Sequence, residues 1–150
     1  VYIRLGKNGE PKIHPDETRI EIGKSITVLE GNDLALITTS NMLETGKKWV
    51  EEWKQDGVNV SLISMPSLKP FDSSTVKNLI DKEIPIITLE EHSVIGGLGS
   101  IISQVIATTG KPVKFQQIGI NDKFSHVVGG HEFQRKKFML DKKPSLKFIE

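Results

Sequence analysis

The sequence predicts an α/β fold in which helices cover both faces of a mostly parallel sheet. Short apolar runs of strand length alternate with stretches whose apolar residues recur at helical spacing. Hydrophobic residues make up 37% and charged residues 26% of the 150-residue chain, as expected for one globular domain with its own core. Together these observations favour a single layered domain.

The strands are recognised by their length and their apolar residues, and the second of them is a near-continuous apolar run, as is typical of a strand covered on both faces. They span residues 25–29, 34–39, 58–63, 84–89 and 113–120. A tight turn at residues 31–33 joins the first strand to the second, so we expect these two not to be parallel. The other connections contain helices, which suits parallel strands joined by right-handed crossovers.

Four helices are predicted from the apolar spacing. The first ends at Gly57, the third ends at Gly110, and the fourth is a basic helix over residues 131–140. Trp49 and Trp53 lie on the apolar stripe of the first helix and are expected in the core or at an exposed domain interface. The N-cap candidates of the first two helices are Ser40, Asn41, Ser73 and Ser74. The apolar residues expected to dock the fourth helix are Phe133, Phe138, Met139 and Leu140.

The amino-terminal part differs in composition from the rest. Val1–Leu5 resembles the end of a strand, and a polar, turn-rich stretch follows as far as Gly23. We therefore divide the chain into a linker region, residues 1–22, and a folded domain, residues 23–150. Because the chain begins with valine inside an apolar run, it is expected to be part of something longer.

Charge and composition argue against several classes of partner. The formal net charge of +1 gives no reason to expect nucleic-acid or membrane binding. From residue 111 onward nine basic residues stand against four acidic ones, which we interpret as a solvated helix face rather than an anion-binding patch. The absence of cysteine excludes disulfides and cysteine nucleophiles, and it fits a cytoplasmic protein.

Candidate site residues are sought where ligands bind in open α/β sheets, beyond the carboxyl ends of the strands. Residues 38–41, 65–70 and 90–99 fall there. The third segment places two acids and an imidazole before a glycine-rich helix start. Its candidates for an interface or a ligand rim are Glu91, His92, Gly96, Gly97 and Gly99.

Each feature of this segment has two interpretations. The glycines make the strand-to-helix turn and allow close packing, or the free N–H groups of the helix start hold a phosphate. Glu91 and His92 form an inter-domain hydrogen bond or a solvated edge, or else an acid–base pair or metal ligands. Since no catalytic or metal-binding spacing accompanies them, no catalytic residue and no metal site is expected.

Four stretches in series resemble the transketolase family and its thiamine-diphosphate-dependent relatives, the deoxyxylulose-phosphate synthases and the β subunits of 2-oxoacid dehydrogenases. They are residues 1–7, 22–33, 64–72 and 90–99. Their order and spacing are similar to those of the C-terminal domain of these enzymes. The resemblance implies a three-layer α/β/α domain with a mixed five-stranded sheet in which one strand is antiparallel.

The resemblance also implies a role. It suggests a non-catalytic assembly domain of a homodimeric enzyme that transfers a two-carbon ketol unit between sugar phosphates. In that family, a Gly-Asp-Gly…Asn motif of the first domain holds the diphosphate of the thiamine cofactor and its magnesium, and a glutamate of the second domain activates the aminopyrimidine. This chain offers only Asp56-Gly57, so no cofactor is assigned to it. The alternative is a protein-interaction or small-anion-binding module, like the corresponding domain of the 2-oxoacid dehydrogenase β subunits.

One substrate contact is implied by the resemblance. In transketolases an arginine just after the last pyrimidine-domain strand contacts the phosphate of the sugar, and Lys7 stands at the matching position. Lysine keeps the charge but loses the bidentate fork of arginine.

Overall fold

Five strands and four helices are found in the described part of the chain, residues 2–4, 6 and 11–147 of a computed structural model. The strands are β1 (Ile26–Leu29), β2 (Leu34–Thr38), β3 (Val60–Ser64), β4 (Ile86–Ser93) and β5 (Phe115–Ile120). The helices are α1 (Leu43–Gln55), α2 (Ser73–Asp81), α3 (Leu98–Thr109) and α4 (His131–Lys137). None of the helices among these residues is long and apolar enough to cross a bilayer.

The strands form one sheet in the order β1-β3-β2-β4-β5. β1 runs antiparallel to β3, with Ile26 opposite Ser64, and the other three pairings are parallel. The prediction of a mixed five-stranded sheet with one antiparallel strand is thus confirmed. β1, which precedes the tight turn, is not parallel to β2, as expected, but it pairs with β3 rather than with its neighbour in sequence.

Two hydrophobic clusters cover the two faces of the sheet and confirm the three-layer architecture. On one face, α1 packs against β2, β3 and β4, together with Leu140 from the segment after α4. On the other face, α2 and α3 pack against the opposite sides of the same strands. β2 and β3 are buried throughout, which explains the near-continuous apolar sequence of β2 and the predominance of apolar residues in β3.

Trp49 and Trp53 belong to the first of these clusters. Each is 2% exposed, and their rings meet edge to face with centroids 6.1 Å apart. The prediction of core packing is confirmed, and the alternative that they form an exposed interface is wrong.

Both predicted helix caps are wrong. A 3₁₀ turn over Ser40–Met42 precedes α1, and α1 has no side-chain cap. Ahead of α2, the cap is Asp72, whose carboxylate accepts from the N–H of Thr75. Aspartate is as good a cap as serine, and here it is additionally held by Ser25 on the incoming chain.

Strand β4 continues four residues further than predicted. It pairs with β5 as far as Ser93, opposite Ile120, beyond a register shift that follows Leu89. The polar run that the sequence analysis placed after the strand therefore lies within it. β5 begins at Phe115, two residues later than predicted.

Helix α4 is shorter than predicted and only part of its apolar set docks. The helix ends at Lys137, and Leu140 and Phe138 just beyond it pack on the cluster of α1. Phe133 and Met139, expected to dock with them, are 51% and 65% exposed.

The strand-like character expected at the start of the chain is not seen. Residues 2–4 form no strand, and Val1, Leu5 and Lys7 lie outside the described residues.

Candidate functional site at the carboxyl ends of β2 and β4

Neighbouring strands β2 and β4 send their connections to opposite faces of the sheet. α1, which follows β2, belongs to one hydrophobic cluster, and α3, which follows β4, belongs to the other. A crevice at the carboxyl ends of two such strands is the usual ligand site of open α/β sheets. The side chains that reach this crevice come from Asn41 after β2 and from the last residues of β4.

Alternation along β4 sends Glu90 and Glu91 to opposite faces. Glu90 is fully buried, and its carboxylate accepts hydrogen bonds from the backbone N–H groups of Leu98 at 2.8 Å and Gly99 at 2.9 Å. The Glu90 carboxylate therefore caps the N-terminus of α3, where the helix dipole also favours a negative charge. These N–H groups are not free to hold a phosphate, contrary to the anion-binding interpretation.

The glycines of this turn serve that arrangement. A Cβ at Gly97 would lie 2.0 Å from Glu90 Oε2, and a Cβ at Gly99 would lie 2.9 Å from Thr88 Oγ1. Gly96 has open space around it but a φ of +79°, which side-chain-bearing residues rarely adopt. All three positions have a structural reason for glycine, and this supports the turn-and-packing interpretation.

Glu91 is the centre of a charged cluster on the other face. Its side chain is 11% exposed, and its Oε2 contacts Arg135 Nε at 3.0 Å and His131 Nε2 at 2.5 Å. Its Oε1 accepts from Arg4 Nη2 at 3.0 Å, with Asn41 Nδ2 at 3.4 Å. Burial alone would raise the pKa of Glu91, but Arg135 and His131 outweigh it and lower that pKa, so the residue is held as a carboxylate.

His92 is the second partner of Arg4. Its Nε2 contacts Arg4 Nη1, and since a guanidinium only donates, the imidazole nitrogen must accept and the ring must be neutral. Burial, and then the positive charge of Arg4, lower the pKa of His92, against the opposing effect of Glu90 and Glu91. A ring engaged in this way is poorly suited to be a general acid or a metal ligand.

A small cavity adjoins the cluster. Its volume is about 240 Å³, and the residues lining it are Glu91, Ile120, His131, Gln134, Arg135, Phe138 and Leu140. This is below the range of about 300–1,000 Å³ that is usual for small-molecule sites. Its charged groups, Glu91, His131 and Arg135, pair with one another.

The residues described here do not fit thiamine diphosphate or its magnesium. The start of α3, where a diphosphate would be expected to bind, is filled by Glu90. Within residues 2–4, 6 and 11–147, no group of three or more histidines and carboxylates is arranged to hold a metal ion.

The predicted residues Glu91 and His92 lie next to each other near the end of β4, and the glycine turn that follows them leads into α3. Lys7 lies outside the described residues. The sequence analysis missed the partners of Glu91, which are Arg4, Asn41, His131 and Arg135. Their separations of 40 to 87 residues leave no local signal, although the basic bias after residue 111 marked the region of Arg135.

The fold and its crevice define an open α/β domain with helices on both faces of a mixed sheet. The transketolase C-terminal domain family matches residues 23–142, and the chain belongs to that family. One subunit of an apulose-4-phosphate transketolase from Actinobacillus succinogenes is 30% identical over 145 residues, which cover 94% of this chain and 45% of that protein. A 1-deoxy-D-xylulose-5-phosphate synthase from Shouchella clausii is 34% identical over 113 residues, 75% of this chain and 18% of that enzyme.

A solved structure gives the same picture. A split-gene transketolase, described as an inactive beta4 tetramer, superimposes with a TM-score of 0.85 at 29% identity and covers 93% of this chain. The chain spans 45% of the length of that protein, and less than half the length of both relatives named above.

Proposed function

We propose that the chain is the C-terminal, non-catalytic assembly domain of a transketolase-like enzyme that transfers a two-carbon ketol unit between sugar phosphates. In this proposal residues 1–22 are the end of the pyrimidine-binding domain with its linker, and residues 23–150 are the C-terminal domain. The complete enzyme is a cytoplasmic homodimer.

One observation carries the proposal of a structural role. The two carboxylates at the crevice are already engaged within the chain: Glu90 caps α3, and Glu91 pairs with Arg4 and Arg135. An acid or a base needs access to substrate in order to act. The contacts of Glu90 and Glu91 therefore support a structural role.

Exposed apolar side chains support assembly with upstream domains. Tyr2, Ile3, Ile20 and Ile22, all in the linker region, are between 64% and 89% exposed. Exposed apolar side chains that a partner covers together mark an interaction surface. In our proposal the pyrimidine- and diphosphate-binding domains cover them, and those domains bind thiamine diphosphate and magnesium.

The proposal predicts that ketol transfer needs the upstream domains. The 150-residue chain, supplied with thiamine diphosphate, magnesium, a ketose phosphate and an aldose phosphate, should show no turnover in a coupled assay. Adding the upstream domains, either fused to the chain or as a separate subunit, should produce turnover. Activity of the chain alone would contradict the non-catalytic role, and an inactive complete enzyme would contradict ketol transfer.

The resemblance at Lys7 predicts a role in substrate binding. In the complete enzyme, Lys7→Ala should raise KM for phosphorylated sugars by about tenfold, because one charge-assisted contact to phosphate is lost. KM for a non-phosphorylated ketose should not change. Lys12→Ala removes a neighbouring lysine that pairs with Asp16, and it serves as the matched control. Equal KM values for Lys7→Ala and the unaltered enzyme would rule out the phosphate contact.

A further inference from the structure

The crevice at the ends of β2 and β4 holds a side chain from the start of the chain. Arg4 reaches Glu91 Oε1 with Nη2 at 3.0 Å and His92 Nε2 with Nη1. The two terminal nitrogens of one guanidinium thus contact two consecutive residues of β4. A planar fork that meets two acceptors specifies orientation as well as attraction.

The Glu91 carboxylate is oriented towards Arg4 by its other partners. Arg135 and His131 of α4 occupy Oε2 of Glu91, so Oε1 faces Arg4 with only a long contact to Asn41 besides. The Glu91 side chain is 11% exposed, against 39% for Arg4. A carboxylate held on one side and partly withdrawn from water gives a stronger pair than two mobile surface groups.

Arg4 also attaches residues 2–4 to the end of β4. Residues 2–4 belong to no helix or strand, and Tyr2 and Ile3 are 89% and 73% exposed. Among residues 2–4 and 6, the side-chain hydrogen bonds that the structure describes are the two made by Arg4. The position of the segment at the crevice therefore depends on this contact.

We propose that Glu91 and His92 are positioning residues that hold Arg4 and thereby fix the segment leading into the domain. This inference rests on the proposed function, in which that segment comes from the pyrimidine-binding domain beside the substrate. The C-terminal domain then affects substrate affinity without touching the substrate. It does so through a contact that joins α4, the end of β4 and the incoming chain.

The contact is tested in the complete protein with Glu91→Gln, Arg4→Gln and the double variant. The first readout is native-state tryptic cleavage after Lys7, followed by mass spectrometry, which does not depend on catalysis. Each single change should speed cleavage about tenfold, the effect of losing one hydrogen bond between charged groups. The double variant should be no faster than either single variant, because both changes remove the same contact.

The second readout separates positioning from general loosening. Both single variants should raise KM for a phosphorylated ketose with little change in kcat. Arg135→Gln, which removes a partner of Glu91 Oε2 but leaves Oε1 to Arg4, should speed cleavage after Lys7 clearly less than Glu91→Gln does. Multiplicative effects in the double variant, equal acceleration by Arg135→Gln, or a loss in kcat alone would each overturn the inference. If the unaltered complete protein fails to act on sugar phosphates, the proposed function fails, while the cleavage results still decide whether the contact exists.

Discussion

Glu90→Ala is expected to lower the free energy of unfolding by about 4 kcal/mol. The buried carboxylate accepts from the N–H groups of Leu98 and Gly99. Its removal leaves two buried donors unpaired, at about 1–3 kcal/mol each, and opens a cavity at the start of α3. Since domains of this size are stable by only about 5–15 kcal/mol, the variant should be close to the limit of folding.

The loss can be measured by urea unfolding of the chain, with the fluorescence of the buried Trp49 and Trp53 as the signal. Glu90→Gln keeps the volume and one acceptor oxygen, so a loss of about 2 kcal/mol is expected. Glu51→Ala, at an exposed position on α1, should change stability by less than about 0.5 kcal/mol. A Glu90→Ala loss as small as that of Glu51→Ala would mean that the carboxylate does not stabilise the helix start.

The fold could be predicted because its signals are local. β2 and β3 are buried along their whole length and are rich in apolar residues, and Gly57 and Gly110 mark helix ends with φ of +82° and +66°. The pairing of β1 with β3 was not predictable in the same way. A tight turn limits the direction of the next strand, but tertiary packing decides which strand becomes the neighbour.

The candidate site was predicted in part. The sequence predicts the run from Glu90 to His92 beyond the carboxyl end of a strand, whereas in the structure it lies within β4. Because successive side chains along β4 point to opposite faces, Glu90 caps α3 on one face, whereas Glu91 pairs with Arg135 on the other. The sequence alone gives no reason to prefer one of two adjacent glutamates for the buried position.

The partners of Glu91 could not be predicted from the sequence. Arg4 and Arg135 are 87 and 44 residues away from it along the chain. Their meeting depends on where the sheet places the end of β4 and on how the segment after α4 docks through Leu140. Long-range pairs of charges leave no periodic trace, whereas apolar faces do.

Asp72→Ala is expected to cost about 3 kcal/mol near neutral pH. Asp72 is 6% exposed and joins the start of β1 to the start of α2. Its Oδ2 accepts from the backbone N–H and the hydroxyl of Ser25, both at 2.9 Å, and from the hydroxyl of Thr75 at 3.0 Å, while Oδ1 accepts from Ser74 at 2.5 Å. Alanine would leave these donors without an acceptor at a partly buried junction.

The same bonds make the stabilising effect of Asp72 depend on pH. Burial alone would raise the pKa of Asp72, but hydrogen bonds from Ser74, Ser25 and Thr75 outweigh it and hold that pKa well below its ordinary value of 3.8. Above pH 3.8 the carboxyl is ionised in the folded and the unfolded chain alike, so its contribution is fully present. As the pH falls further, the unfolded chain takes up a proton that the folded chain does not. The contribution is then progressively lost towards the folded-state pKa.

Urea unfolding across this acidic range should therefore show the stability of the unaltered chain approaching that of Asp72→Ala as the pH falls. Asp81→Ala is the matched control on α2, because Asp81 pairs with Lys111 at the surface, where both side chains are more than half exposed. It should cost at most about 1 kcal/mol at any pH. A difference between Asp72→Ala and the unaltered chain that stays constant from neutral to acidic pH would show that the ionised carboxylate is not what stabilises the junction. A difference that narrows below pH 3.8 would instead identify it as the group that fastens the edge strand β1 to α2.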